Sequence, residues 1–555
     1  MGSSLLARDP APGWARVVSS LVKIRPGQIP TGSTTANLAA ARGECQGFQI
    51  SVPPPAENVR ASASPLSGPG KAIELRLYRE EWIDVRTPSN IEGKSGLWPD
   101  PLIPLVDSYA NESRRAVPAN SESGRPLVFY AEICVPLLQQ AGEYRGNVRL
   151  TADQKEPVAL DINLKVQSFQ IPPTSSLSNT FGLSLLSIAR GHQLTADGPE
   201  ARQLLRRYAR ALLAHRVSAH GLSMHPPRVS IRAGQPMVDF SGYDQEMAGF
   251  FEGRELASGA HFTTAEVRES PVALSEEQRS SYYRAFAEHF RQKKWPALLF
   301  YYAKDEPRPE DYPLVIRQAR LVHRAGPIPV LVTAPFSETW KGVADILCPN
   351  LNCFFPRPGP LTCSAIQSAD SLRALLKGSQ VWWYQSCTAH GCGQIPPRAE
   401  EQQAYSGWAS YMVDHPATLN RAMGPLAFLA GVDGELYFDT VFAYNRKDPW
   451  EDVYEFGGNG DGTFFYPGIP SRIGGKTHIP IESLRLKHLR DGLEDFEYLR
   501  LLKELGDEAL ARRLVRQLAR SGYQIERDPV VWERTREEMA VRLKVLWEKR
   551  MANAP

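Results

Sequence analysis

Ala297-Leu298-Leu299-Phe300-Tyr301-Tyr302-Ala303-Lys304-Asp305-Glu306-Pro307 is an unbroken apolar and aromatic run that ends in two carboxylates and a proline. Such a run, without polar alternation, suits a strand buried on both faces, as in a parallel sheet. The flanking segments agree. Upstream, Ser275 with Gln278 three residues on forms a capping box. The helix it opens carries Tyr282, Phe286 and Phe290 on one stripe, closes on Lys293-Lys294-Trp295 and stops at Pro296. Downstream, Val315, Ala319 and Val322 form the inward face of another helix, and Val330-Leu331-Val332 is a second buried strand. Further out, Leu205, Tyr208 and Leu212 share a helix face opposite Arg202, Arg206 and Arg210. Val381-Trp382-Trp383-Tyr384 and Glu435-Leu436-Tyr437-Phe438 read as later strands. Strand and helix alternate over residues 173–500, which predicts an α/β fold, a (β/α)8 TIM-like barrel with insertions. A doubly wound sheet is the alternative, but its glycine fingerprint is missing.

On the N-terminal side the period changes. Phe48–Val52, Ile73–Leu77 and Leu160–Leu164 alternate apolar and polar residues between Pro and Gly clusters, the pattern of an all-β sandwich. Gly142–Gly146 reads as a turn before a strand at Asn147–Leu150. Pro172-Pro173 cannot continue a ladder. The expected domains are therefore a β-sandwich over 1–172, the barrel over 173–500 and a charged helical extension over 501–555 that packs on the barrel.

The 555 residues suffice for roughly two to four domains. With 64 Lys+Arg against 61 Asp+Glu, the net charge of +3 is too small for a binder that neutralises many phosphates. No nucleic-acid partner is expected. No stretch approaches the ~20 apolar residues of a membrane span. Met1-Gly2-Ser3-Ser4 begins a mixed polar segment without an apolar h-region, so no signal peptide is visible. An exported protein, secreted or periplasmic, with its signal removed is the expected setting. The oligomeric state is open. H-E-x-x-H and G-x-S-x-G are absent, and Pro470 stands where a P-loop ending at Gly474-Gly475-Lys476-Thr477 needs glycine. Gly457–Gly462 marks a mobile loop more readily than a calcium site. His220 and His225 flank a short strand, and either could line a pocket. Of seven cysteines, Cys45 and Cys134 sit in strand contexts and read as buried thiols. Cys387 and Cys392 could form a local disulfide or, with His390, a zinc site. Their spacing fits no standard zinc pattern, so no metal and no cofactor is expected.

Asp305 and Glu306 are the chemical focus. In a barrel, the C-terminal strand ends build the active site. Adjacent strand residues face opposite ways, but at a strand end the turning chain can aim both at one pocket. Pro307 is expected to keep Glu306 extended. Two carboxyl groups held together can divide the labour of glycoside hydrolysis. A solvated Asp-Glu opening the next helix is the plain alternative. Trp382, Trp383, Tyr384, Tyr437, Phe438 and Trp450 gather near strand ends, where flat aromatic faces could stack on sugar rings. Regular alternation would send one of Trp382 and Trp383 outward and leave the other for substrate. Asp439, Asn445 and Asp448 are candidate hydroxyl partners.

Ile481–Leu499, read as Ile-Glu-Ser-Leu-Arg-Leu-Lys-His-Leu-Arg-Asp-Gly-Leu-Glu-Asp-Phe-Glu-Tyr-Leu, resembles the C-terminal signature of the glycoside hydrolase family 123 catalytic domain. Gly434–Asp439, Asp448-Pro449-Trp450, Gly460-Asp461-Gly462 and Tyr466-Pro467-Gly468 look like its preceding motifs, and Asp305-Glu306-Pro307 like its catalytic pair. Ala41–Gln49 is similar to the opening of the sandwich that precedes the barrel. Phe438 stands where the motif often has Trp, and the Cys387–Cys392 loop does not map onto the family's characterised enzymes. The resemblance implies a β-sandwich and a (β/α)8 barrel. It also implies release of β-linked N-acetylgalactosamine with retention, the substrate's own 2-acetamido oxygen attacking the anomeric carbon. Glu306 would then be general acid and base, and Asp305 would steady the acetamido group. Two alternatives stand beside it: a glycosidase for sugars lacking that group, with Asp439 as a second carboxylate, and a non-catalytic carbohydrate-binding protein.

Overall fold

The computed structural model describes residues 13–196, 198–222, 225–357, 363, 367–387, 391–393 and 403–553. The N-terminal region pairs two sheets. One runs Arg16–Ser19, Cys45–Val52, Leu127–Cys134, Leu75–Val85, Gly96–Pro104, and the other Thr35–Arg42, Lys155–Gln170, Gly142–Ala152, Ala56–Ala63, Ala119–Ser121. Phe48, Ile50, Phe129 and Ile133 of the first meet Val148, Leu150, Ile162 and Leu164 of the second. This is the inward half of the period-two alternation. Gly142–Gly146 is not a turn; it is the start of the Gly142–Ala152 strand, laddered against Ile162–Val166. Cys45 and Cys134 are not free thiols. They lie directly opposite on neighbouring antiparallel strands and are bridged.

The first sheet does not end at residue 172. Ile479–Ser483 pairs with the Gly96–Pro104 strand, placing Glu482 beside Leu102, and Phe465–Gly468 extends the sheet further. A hairpin that follows the barrel in sequence thus completes the N-terminal sheet and fastens the two regions together.

Eight parallel strands form a nearly closed barrel in sequence order: Ser178–Gly182, Ala219–His220, Thr264–Glu266, Leu298–Lys304, Val330–Val332, Ile346–Leu347, Gln380–Tyr384 and Gly434–Tyr437. The last ladders back onto the first. The second and third share no ladder among the described residues and meet where Gly221 N–H donates to Glu266 Oε2 at 3.2 Å. Phe300, Leu331, Ile346, Cys348, Trp382 and Leu436 fill the interior. Helices Pro199–Ala214, Glu276–Lys293 and Tyr312–Ala325 cover the outside, with the capping box at Ser275 formed as expected. Between the fifth and sixth strands the only helical element is a 3₁₀ turn, Glu338–Trp340, whose Trp340 is fully buried and replaces a covering helix.

The helix Leu484–Glu504 carries the signature and is buried on every side from Leu484 to Leu499. A helix this polar can be buried only if its charges are paired. Arg485 pairs with Asp100 at 2.8 Å, and Lys487 with Glu132 and Glu482 at 2.8 and 2.6 Å. Arg216 reaches Glu494 at 3.2 Å, and Arg421 reaches Asp495 at 2.6 Å. Arg536, from the C-terminal helix Pro529–Ala552, joins Asp495 and Glu44. Partners therefore come from the sandwich, the barrel and the C-terminal helices. Gly492 allows the contact with Arg421, whose carbonyl oxygen lies 2.2 Å from where a β-carbon would stand. No helix of the described residues is long and apolar enough to cross a membrane.

Candidate active site

The fourth barrel strand alternates as a pleat must: Leu298, Phe300 and Tyr302 face the lumen, and Leu299 and Tyr301 face the helices. Beyond Lys304 the chain turns out of the barrel mouth, and Asp305 and Glu306 are both exposed there. Asp305 Oδ1 accepts from the Tyr302 hydroxyl at 2.8 Å and from Thr333 Oγ1 at 3.0 Å. Glu306 Oε1 accepts from the Tyr384 hydroxyl at 2.6 Å. The second oxygen of each carboxylate has no protein partner among the described residues. Burial, and then the neighbouring carboxylate, push both phenols well above their ordinary range, so Tyr302 and Tyr384 stay protonated donors. Glu306 is not extended. Its φ of 39° is left-handed, an uncommon conformation for a residue with a β-carbon. Its N–H donates to Thr333 Oγ1 at 2.9 Å, which holds that turn.

His220, at the end of the second strand, lies edge-on to Tyr302 with ring centroids 6.4 Å apart and bonds Thr180 Oγ1 at 3.1 Å. Burial lowers its pKa, so it stays largely neutral beside the pair.

The aromatic wall is only partly where sequence placed it. Tyr384 belongs to the site. Trp382 is 0% exposed and fills the barrel interior, while Trp383 is 0% exposed on the outer face beneath Phe354. Alternation holds, but neither ring is open to a sugar, because the inward one lies below the mouth as packing. Tyr437 is buried and donates to Asp461 Oδ1 at 2.7 Å; Asp461 Oδ2 in turn accepts the Cys387 N–H at 3.0 Å. It ties the loop after the seventh strand to the eighth. Trp450 donates to the Pro467 carbonyl and packs on Tyr466, in the cluster joining barrel and sandwich. Asn445 accepts from Ser187 Oγ, and Asp448 pairs with Arg472. Asp439 Oδ1 is taken by the N–H groups of Thr440 and Val441, and burial pushes its pKa up to about 7.

At the eighth strand end Phe438, one of the aromatics expected from sequence, is joined by two that were not, Phe442 and Phe456. Phe438, Phe442 and Phe456 pack with ring centroids 5.7, 5.6 and 4.9 Å apart, and Phe456 is 49% exposed. The fourth and eighth strands face one another across an eight-stranded barrel, so this cluster stands opposite the carboxylates. The glycine-rich Gly457–Gly462 segment beside it is packed rather than open. A β-carbon on Gly458 would lie 2.4 Å from Cys387 Sγ.

Cys387 and Cys392 are bridged, as are Cys353 and Cys363, which leaves Cys348 as the free thiol. The bridge removes both thiolates from a zinc site; His390 lies outside the described residues. Among the described residues no group of three or more His, Cys, Asp and Glu could hold a metal ion. A cavity of about 260 Å³ lies between Pro199–Ala214 and Ser241–Phe251. Its lining includes neither Asp305 nor Glu306. At its rim Arg206 pairs with Glu255, and His225 bonds both Glu246 and Arg202.

Residues 275–502 match the profile of the glycoside hydrolase 123 catalytic domain. The span starts at the Ser275 cap and ends in the signature helix, enclosing the carboxylate pair, Thr333 and Tyr384. The chain is a glycoside hydrolase. The catalytic domain it carries is that of family 123. A solved family 123 glycoside hydrolase from Clostridium perfringens, described for glycolipid glycan hydrolysis, shares the fold with a TM-score of 0.67. Identity is 14%, covering 97% of this chain and 99% of that one. A Bacteroides ovatus GH5 xyloglucanase aligns over 83% of this chain and 98% of its own at 10% identity, with a TM-score of only 0.27. No curated protein matches the chain.

Proposed function

We propose that the enzyme is a retaining glycosidase that releases β-linked N-acetylhexosamine, N-acetylgalactosamine in the first instance, by substrate-assisted catalysis. The observation that supports this is the shared origin of the two carboxylates. They leave one strand end on consecutive residues, each anchored through one oxygen with the other unpartnered among the described residues. A protein nucleophile would need two carboxyl groups roughly 5–5.5 Å apart across the anomeric centre. Neighbouring residues about 3.8 Å apart at Cα approach from one side. Such a pair suits a reaction in which the acetamido oxygen attacks the anomeric carbon from the other face.

Glu306, through its free oxygen, protonates the departing glycosidic oxygen. Asp305, fixed by Tyr302 and Thr333, accepts the acetamido N–H as positive charge develops on the oxazolinium-like intermediate. Water then opens that intermediate while Glu306 takes back a proton, restoring the starting state. Phe456, with Phe438 and Phe442, offers the apolar contact across the mouth. The alternative built on Asp439 has less support, since that carboxylate is engaged by its own turn. A glycoconjugate substrate in an exported setting fits three disulfides, which persist in oxidising compartments.

The test pairs Glu306→Gln with a thiazoline mimic of the bicyclic intermediate. The variant should lose ~10²–10⁴-fold in turnover at unchanged stability, and the thiazoline should inhibit the parent strongly. Full activity in Glu306→Gln, or indifference to the thiazoline, would overturn the proposal.

A further inference from the structure

Thr333 is the residue after the fifth barrel strand and is 1% exposed. Its single hydroxyl serves both members of the carboxylate pair. As acceptor it takes the Glu306 N–H at 2.9 Å, and as donor it reaches Asp305 Oδ1 at 3.0 Å. Its one proton goes to the nearer acceptor, Asp305 Oδ1, rather than to the Lys304 carbonyl at 3.5 Å. Tyr302 has one hydroxyl proton and spends it on Asp305 at 2.8 Å, so its 3.3 Å approach to Thr333 adds no second donor.

The strand register explains why the hydroxyl is there. Tyr302 stands opposite Leu331 and Lys304 opposite Val332, so Ala303 is one residue in excess on the fourth strand. Such a bulge re-aims the side chains that follow it. The residue just past the fifth strand, Thr333, then meets the turn that carries Asp305 and Glu306 instead of running past it. The left-handed φ of Glu306 is held by this bond at the backbone and by Tyr384 at the carboxylate.

We propose that Thr333 is a positioning residue that sets the geometry of both catalytic carboxylates through one hydroxyl. It fixes the backbone from which Glu306 delivers its proton, and it orients Asp305 so that the free oxygen faces the substrate. This rests on the reading of Asp305 and Glu306 as the catalytic pair.

The test compares Thr333→Val, Thr333→Ala and Thr333→Ser with Glu306→Gln, all on the aryl β-glycoside that the parent cleaves fastest. Valine keeps the shape and removes both bonds; alanine covers the case in which valine does not fold. Misplacing a catalytic group by about 1 Å can cost ~10²-fold. The expected result is therefore a kcat lower by roughly 10–10²-fold with KM within about threefold, and recovery of most of kcat in Thr333→Ser. Parent kcat in the valine or alanine variant, with Glu306→Gln inactive, would overturn the role of Thr333 alone. So would a serine variant as impaired as valine. An active Glu306→Gln would instead remove the pair on which the inference stands.

Discussion

Arg485→Met should destabilise the fold strongly without touching its chemistry. Arg485 lies in the most recognisable segment of the chain, which invites a catalytic reading. Its guanidinium is completely buried and donates to Asp100 through Nε at 3.0 Å and Nη2 at 2.8 Å. It also donates to the carbonyls of Tyr411, Gly460 and Thr463 at 2.8, 3.0 and 2.6 Å. Removing it strands the Asp100 carboxylate, a loss of about 3–5 kcal/mol for a broken buried pair. Three buried carbonyls lose a donor as well, at about 1 kcal/mol or more each. Neighbouring losses are not additive, so the total is at least about 4 kcal/mol, a large part of a typical domain stability of about 5–15 kcal/mol. Thermal unfolding and limited proteolysis read the effect, and activity is expressed per folded molecule. The double variant Asp100→Asn, Arg485→Met should recover about 2 kcal/mol or more, because the orphaned charge is gone. A variant that melts within about a degree of the parent yet loses turnover would refute the structural reading of the signature.

Glu435 is buried, accepts from the Tyr411 hydroxyl at 2.7 Å, and is pushed up to about 8 by burial. A raised carboxyl favours folding when protonated, so its contribution is complete below about pH 4.5 and lost as pH rises through about 8. Glu435→Gln should therefore gain stability over the parent at pH 8 and lose that advantage by pH 4–5; parallel melting curves across that range would contradict this. Phe456→Ala should raise KM about 2–10-fold with kcat kept, the effect of one lost aromatic contact, whereas Trp382→Ala should cost about 3–5 kcal/mol of stability. An unchanged KM in Phe456→Ala removes the aromatic surface from substrate binding. Six of the seven cysteines are paired, so unfolding without reductant should expose one alkylatable thiol, Cys348. Three or more labelled thiols in protein made under oxidising conditions would contradict the pairing.

The barrel was legible because its strands are short apolar runs between amphipathic helices, a local signal. The run at Ala297–Tyr302 and the capped helix before it appear where the sequence puts them. The sandwich was legible for the same reason, with period two in place of 3.6. What escaped was non-local. Nothing in Ile479–Ser483 says that it pairs with a strand nearly 400 residues earlier and brings Phe465–Gly468 into the same sheet. The turn at Gly142 was misread because glycines inside a strand look like punctuation. At the site, Asp305 and Glu306 stood out as adjacent acids at a strand end. Thr333 obeys the same rule, being the residue after Val330–Val332, but a lone threonine carries no chemical flag until its neighbours are known. Trp382 misled because a large aromatic near a strand end reads the same whether it caps the barrel interior or lines a pocket. The Glu306 conformation depends on the Ala303 bulge and on Thr333, and neither is visible from Pro307 alone.

The central claim is that the nucleophile belongs to the substrate. The measurement that tests it compares kcat/KM on two aryl β-galactosides with the same leaving group, one bearing a 2-acetamido group and one a 2-hydroxyl. The acetamido sugar should be cleaved and the plain hexoside nearly inert, a gap on the order of 10³-fold or more, since the second lacks the attacking group. Comparable cleavage of both would contradict it and require a nucleophile or base from the protein.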